Sequence, residues 1–353
     1  MSFRRVVVKV GSSTLTGGTG VLDEAYVEDL VRELARAREQ GVEVLLVTSG
    51  AIAVGAARLR IERLSTIPEK QAAAGVGQGL LMGFYIHAFN HRRLAAAQVL
   101  LTHEDLSARQ RYLNARNALF AMLRLGAVPV INENDTVAVD EIRVGENDTL
   151  AAMVAGLVDA DLLVLLSDVE GLLDPEGRLV EEVRDIGLVM PFARGSGSRL
   201  GTGGMVTKLH AAQMATRCGA ATVIANGRRE GVLTELLQGG RVGTFFPPQP
   251  ERLPGRKRWI AFGARARGAL IVNDGARASL VDHGKSLLPA GIVGVEGTFQ
   301  PGDLVCVRDE AGREIARGLS NYTSEEVSRI RGLRTDQVAA LLGALDFEEV
   351  IHR

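Results

Sequence analysis

The chain has 353 residues, enough for about two domains at roughly 150 residues each, and its 46% hydrophobic and 24% charged content excludes intrinsic disorder and collagen-like repeats. Its 41 Lys and Arg against 42 Asp and Glu leave a net charge of −1, so the chain as a whole has no electrostatic commitment to nucleic acid or to an anionic membrane. Only five of the basic residues are lysine: Lys9, Lys70, Lys208, Lys257 and Lys285. Cys218 and Cys306 match no metal-ligand or redox spacing and read as reduced thiols. There is no run of about 18 apolar residues, and Lys9 interrupts the first apolar run too early for a signal peptide. A soluble cytoplasmic protein is expected.

From residue 4 to about 240, short β-branched runs alternate with segments of helical period, which predicts an α/β domain with an open, mainly parallel sheet flanked by helices. The predicted strands are Arg5 to Val10, Glu43 to Thr48, Ala97 to Leu101, Ala127 to Ile131, Asp161 to Leu166 and Thr222 to Ala225. Between the first two, Tyr26, Val27, Leu30, Val31 and Leu34 fall on one helical stripe, with Asp23 as N-cap and Gly41 as stop. A second long helix is expected from Asp105 to Leu125. Pro129 counts against the strand that follows being central, because it cannot donate to a ladder.

The first strand ends in Lys9-Val10-Gly11-Ser12-Ser13, a glycine turn whose N–H groups suit an anion and whose lysine adds a point charge; alone, such a lysine usually faces solvent. The second ends in Thr48-Ser49-Gly50-Ala51, at the strand edge where ligands bind in open α/β sheets. There Ser49 either contacts a ligand or caps a helix. Neither a nucleotide P-loop nor a nucleophile elbow is present.

Asn132-Glu133-Asn134-Asp135 and Gly145-Glu146-Asn147-Asp148 form the densest polar cluster. Val137 to Ile142 between them alternates like a hairpin arm, and Asn147 or Asp148 could instead cap the apolar helix Leu150 to Val158. Ser167-Asp168-Val169-Glu170-Gly171 again follows a strand. The glycine-rich run 195–208, ending Gly201-Thr202-Gly203-Gly204-Met205-Val206-Thr207-Lys208, leads into a helical pattern whose free N–H groups suit a polyphosphate. His87 and His91 have helical i, i+4 spacing without the partners of a zinc site, so no metal ligands are assigned.

Four of the ten prolines fall between Pro247 and Pro254, marking a linker. The domains are therefore read as 1–246, a linker 247–268, and 269–353. The last holds short strand-like runs at Ala269 to Val272, Gly291 to Val295, Leu304 to Val307 and Glu314 to Gly318, as in a small, mainly β domain.

Taken together and in order, these segments resemble the amino-acid kinase family. Within it they are similar to the members that phosphorylate glutamate and carry a C-terminal PUA domain, a resemblance supported by Ser286-Leu287-Leu288-Pro289-Ala290-Gly291 in the tail. It implies the amino-acid kinase fold, a PUA-like second domain, and ATP-dependent phosphorylation of the γ-carboxylate of L-glutamate to L-glutamyl 5-phosphate, the first step of proline biosynthesis from glutamate. Mg²⁺ would be carried by the nucleotide phosphates. Position by position, Ser49, Asp135 and Asn147 would hold glutamate; Lys9, Ser167, Asp168, Thr202, Gly203, Gly204, Met205, Val206, Thr207 and Lys208 would surround ATP; and Lys9, Lys208 and Asp148 would serve the transfer. Family members commonly have threonine in place of Ser167, which keeps the hydroxyl. The resemblance further implies a homo-oligomer, a dimer or tetramer, and feedback inhibition by proline, for which the loop from about Leu59 to Gly77 is the candidate sensor. PUA domains often bind RNA, but the near-neutral tail lacks a sustained basic face, apart from the cluster Arg256, Lys257, Arg258, Arg265 and Arg267, so RNA is not an expected partner.

Overall fold

A computed structural model describes residues 3–138, 146–195, 204–250 and 266–334, together with 337–338, 341 and 347–352. The chain divides into two compact units, Met1–Gly255 and Arg256–Arg353.

The first unit is built on a seven-stranded sheet in the order β3-β4-β2-β1-β5-β6-β7. The strands are β1 (Arg5–Val10), β2 (Glu43–Val47), β3 (Ala96–Leu101), β4 (Val128–Glu133), β5 (Leu162–Ser167), β6 (Ala221–Asn226) and β7 (Thr244–Phe246). All neighbours pair in parallel except β7, which runs antiparallel to β6. The near-continuous apolar runs of β1 and β5 follow from burial on both faces, as parallel strands between helices require. Between the strands lie α1 (Ser12–Thr16), α2 (Glu24–Glu39), α3 (Ala51–Leu59), α4 (Ile67–Asn90), α5 (His103–Ser107), α6 (Arg109–Arg124), α7 (Glu146–Leu157), α8 (Ile186–Gly195), α9 (Gly204–Arg217) and α10 (Val232–Leu237).

Val6, Val8 and Val10 face a core that contains Leu34 of α2, Leu81 and Tyr85 of α4 and Val232 of α10. Lys9 has the opposite parity and points to the face covered by α7. The Asp23 side chain caps α2 by accepting from the Tyr26 N–H, and Gly41 after it adopts φ +82°, both as the residue pattern predicts.

Three expectations are corrected. The helix expected from Asp105 to Leu125 is two, because Ala108 is extended (φ −79°, ψ 119°) and Thr102 and Asp105 form a capping box that starts α5 earlier. The strand containing Pro129 is interior, lying between β3 and β2. Val128 N–H donates to Ala95 on the β3 side, so the imide nitrogen of Pro129 faces β2, where the ladder begins only at Val130 with Leu46. The segment Leu59 to Gly77 is not one loop: a turn over 60–66 is followed by α4, which begins at a capping box of Thr66 and Glu69. Of the expected hairpin arm, Val137 lies in a turn and 139–142 are outside the described residues.

Helices α3 and α4 meet backbone to backbone. A Cβ built on Gly77 would stand 1.8 Å from the Ala51 carbonyl oxygen, and one on Gly55 would stand 1.8 Å from that of Ala73. Only hydrogen fits at either position. Gly77→Ala is therefore expected to destabilise the first unit by about 3 kcal/mol or more, seen as a lower urea midpoint at unchanged m; an unaltered midpoint would show that the helices separate freely.

The second unit holds a four-stranded sheet, order β11-β10-β8-β9, formed by β8 (Gly268–Val272), β9 (Ile292–Gly297), β10 (Leu304–Asp309) and β11 (Glu314–Leu319). Its core, which includes Leu270, Leu287, Phe299 and Val305, is completed by Val327 and Ile330 of α12 (Ser324–Ile330); α11 (Asp274–Val281) follows β8 and is capped by Asn273.

Candidate active site

The polar residues converge at the C-terminal ends of β1, β2, β4 and β5. Lys9 occupies the penultimate position of β1, paired in register with Val47 and Leu165, and is only 5% exposed. A solvent-facing lysine is thus excluded. Its Nζ lies 2.6 Å from Asp148 Oδ1, and Lys208 Nζ reaches Asp148 Oδ2 at 3.3 Å. Thr207 Oγ1 donates to the same Oδ2 at 3.0 Å. Asp148 sits in the first turn of α7 and Lys208 in α9, so three elements distant in sequence bring two cations and one anion together out of water.

Burial alone would raise the Asp148 pKa, but Lys9 and Lys208 outweigh it and hold the carboxyl below the usual carboxylate range. For Lys9, burial disfavours the ammonium and the neighbouring Lys208 adds to that effect; together they overcome Asp148 and lower its pKa. Asp148 therefore stays ionised at moderate pH, and Lys9 is the member of the pair that loses its proton, on the alkaline side. The alkaline limb of kcat/KM for ATP, measured at saturating glutamate so that neither free substrate titrates in that range, is expected below the ordinary lysine range. A limb at or above that range would contradict the arrangement.

Asn147, beside Asp148, lies within α7 rather than capping it. Its Nδ2 donates to Ser49 Oγ at 3.0 Å and to Asn132 Oδ1 at 3.3 Å. Asn147 Oδ1 is buried and has no hydrogen-bond partner among the described residues. Ser49 is 7% exposed and does not cap α3: Gly50 holds that position at φ +94° with no side-chain cap. Because Ser49 accepts from Asn147, its own O–H is left to donate. Asp135 is half-buried in the turn that follows β4.

Ser167 ends β5 and donates from Oγ to Asp168 Oδ1 at 3.1 Å; the Gly227 N–H donates to its carbonyl at 2.8 Å. Gly204, Met205, Val206 and Thr207 form the first turn of α9 ahead of Lys208. Thr202 and Gly203 lie outside the described residues. The site thus has a neutral part rich in donors and acceptors and a cationic part able to hold an anion. Among the described residues no group of three His, Cys, Asp or Glu side chains is arranged to hold a metal ion, and no helix is long and apolar enough to cross a membrane.

Two side chains here carry no motif. Gln78 of α4 accepts from Asn132 Nδ2 at 2.7 Å, and Tyr85 of the same helix hydrogen-bonds Thr48 Oγ1 at 2.9 Å. Thr48 and Asn132 continue the α4-facing parity of Leu46 and of Val128 and Val130. The detectable signal was the seven-residue spacing of Gln78 and Tyr85, two polar groups on an inward, otherwise apolar stripe.

Residues 4–226 match the amino acid kinase family and residues 268–342 match the PUA domain. The chain is 49% identical to the glutamate 5-kinase of Caldanaerobacter subterraneus subsp. tengcongensis over 99% of its own length and 96% of the relative's. It is also 49% identical to the glutamate 5-kinase of Moorella thermoacetica, over 99% and 95% of the two lengths. The N-acetylglutamate synthase of Neisseria gonorrhoeae, solved with coenzyme A and L-arginine, shares the fold at a TM-score of 0.52 and 17% identity, covering 70% of this chain and 62% of that one.

Proposed function

The chain belongs to the amino acid kinase family, and we propose that it phosphorylates the γ-carboxylate of L-glutamate with ATP, giving L-glutamyl 5-phosphate for proline biosynthesis. The observation that carries this reading is the buried Lys9–Asp148–Lys208 group adjoining the Ser49–Asn147 pair.

A carboxylate is ionised at neutral pH, so the nucleophile needs no general base. A γ-carboxylate oxygen attacks the γ-phosphorus of ATP, the new O–P bond forms as the bond to the leaving ADP oxygen breaks, and no proton moves. The barrier lies in bringing two anions together and in the charge on the transferred oxygens. Lys9 and Lys208 neutralise that charge, and Asp148 holds both ammonium groups toward one point. Asn147 Oδ1 accepts from the substrate ammonium, Asp135 contributes opposite charge to it, and the Ser49 hydroxyl donates to a substrate oxygen. Ser167, Asp168, Thr202, Gly203 and the first turn of α9, Gly204 to Thr207, surround the nucleotide. Asp148 is already committed to two cations and a hydroxyl, so the donor set does not fit a protein-held metal; Mg²⁺ is carried by the nucleotide phosphates, where it neutralises charge.

Proline presents a similar carboxylate and ammonium and is the expected competitor for the glutamate pocket. Self-association is part of the proposal: Ala72, Val76, Gly79, Gly83 and Ile86 form an exposed small and apolar face along α4, and β3 is a sheet edge. Cys218 and Cys306 are buried and form no disulfide, a state that a reducing compartment maintains, which supports a cytoplasmic location.

Purified protein with ATP, Mg²⁺, glutamate and hydroxylamine should yield γ-glutamyl hydroxamate. Turnover of aspartate or N-acetylglutamate in its place would overturn the assigned substrate.

A further inference from the structure

We propose that Gln78 is a positioning residue that sets which end of the Asn147 carboxamide faces the substrate. This rests on the proposed glutamate site and extends it to a residue on α4 that bonds Asn132.

The Asn132 carboxamide is held between a donor on one side and an acceptor on the other, and together they set its orientation. The backbone N–H of Glu133 can only donate, and it meets Asn132 Oδ1 at 2.9 Å. Asn132 must therefore turn its Nδ2 the other way, toward Gln78 Oε1 at 2.7 Å. Asn132 is 1% exposed, and a buried N–H left unpaired is strongly disfavoured. With Oδ1 of Asn132 facing the site, Asn147 presents Nδ2 to it and to Ser49 Oγ. Asn147 Oδ1 is then left as a buried acceptor without a partner among the described residues.

That orphan oxygen is what an ammonium group requires, and an amide turned the other way would offer it N–H. Gln78 is thus the acceptor that completes a relay from α4, through β4, to α7. The register of α4 is itself constrained by Gly77, whose hydrogen faces the Ala51 carbonyl, and by the Tyr85 bond to Thr48. The residue beside Gln78 is the one that permits α4 to approach so closely.

The discriminating comparison is Gln78→Met, which keeps length but removes the acceptor, with Gln78→Glu, which restores one. For each protein, kcat and KM are measured for ATP, for glutamate and for glutarate, which lacks only the amine, with the thermal midpoint as a control on folding. Gln78→Met should raise the glutamate KM about tenfold, leave the ATP KM within about twofold, and lower the preference for glutamate over glutarate about tenfold; Gln78→Glu should bring the glutamate KM back to within about threefold of wild type. An unchanged preference in Gln78→Met, equal shifts in both substrates' KM, or no rescue by Gln78→Glu would overturn the role. Wild-type protein that turns over no glutamate would instead overturn the functional reading beneath it, and the two failures are told apart by that first measurement.

Discussion

Asp148→Asn is expected to lower kcat/KM for ATP and glutamate by about three orders of magnitude. In the wild-type protein the carboxylate stands 2.6 Å from Lys9 and 3.3 Å from Lys208, and the three side chains are almost wholly buried. A carboxamide keeps the shape, removes the charge and turns an N–H toward one ammonium. The two cations then repel in a poorly hydrated site, and breaking such a group typically costs about 3–5 kcal/mol, where each 1.36 kcal/mol is tenfold in rate. The same loss should appear in stability, with a partial exception: ATP supplies anionic oxygens where Asp148 was, so the rise in unfolding temperature on adding nucleotide should be larger in the variant than in the wild type. A rate within tenfold of wild type would mean that Asp148 does not govern the lysines.

Lys208→Ala is expected to lower kcat by about 10²–10³-fold while the glutamate KM stays within about threefold. Lys208 projects from α9 toward Asp148, and its helix is held independently by Leu209, Ala211, Ala212 and Ala215, so the substitution should spare the fold. Removing a charge that acts mainly as the phosphoryl oxygens become more anionic reduces the rate more than ground-state binding. Asp135→Ala provides the contrast: its proposed partner is the substrate ammonium, so glutamate KM should rise about tenfold with little change in kcat. Steady-state kinetics on the two variants separate these patterns. Wild-type kcat in Lys208→Ala would refute the assigned role.

The strands were legible in the sequence because all of the parallel set except the edge strand β3 are short runs buried on both faces: β1 keeps its predicted bounds, and the others begin or end within about two residues of expectation. The break at Ala108 was not, since Ala108 is a good helix former and nothing local marks its extended backbone; only the capping box of Thr102 and Asp105 shows that α5 is a separate helix with its own start. Pro129 misled for a related reason. A missing donor matters only if a neighbour needs it, and the ladder to β2 starts one residue later. At the site, Lys9 could not be distinguished from a solvent-facing lysine by its neighbours in the chain. Its burial depends on Asp148, which is 139 positions away. Gln78 and Tyr85 were equally silent, because each meets its partner through tertiary packing of α4 and neither belongs to a motif.

The central claim is that the γ-carboxylate oxygen of glutamate itself attacks phosphorus. Glutamate labelled with ¹⁸O in its γ-carboxylate, incubated with ATP, Mg²⁺ and hydroxylamine, tests it directly by the mass of the phosphate released. Hydroxylamine attacks the acyl carbon, so phosphate should depart with the bridging oxygen and carry one ¹⁸O per hydroxamate formed. Unlabelled phosphate would show that the phosphoryl group went to water or to a protein group, and would contradict the account.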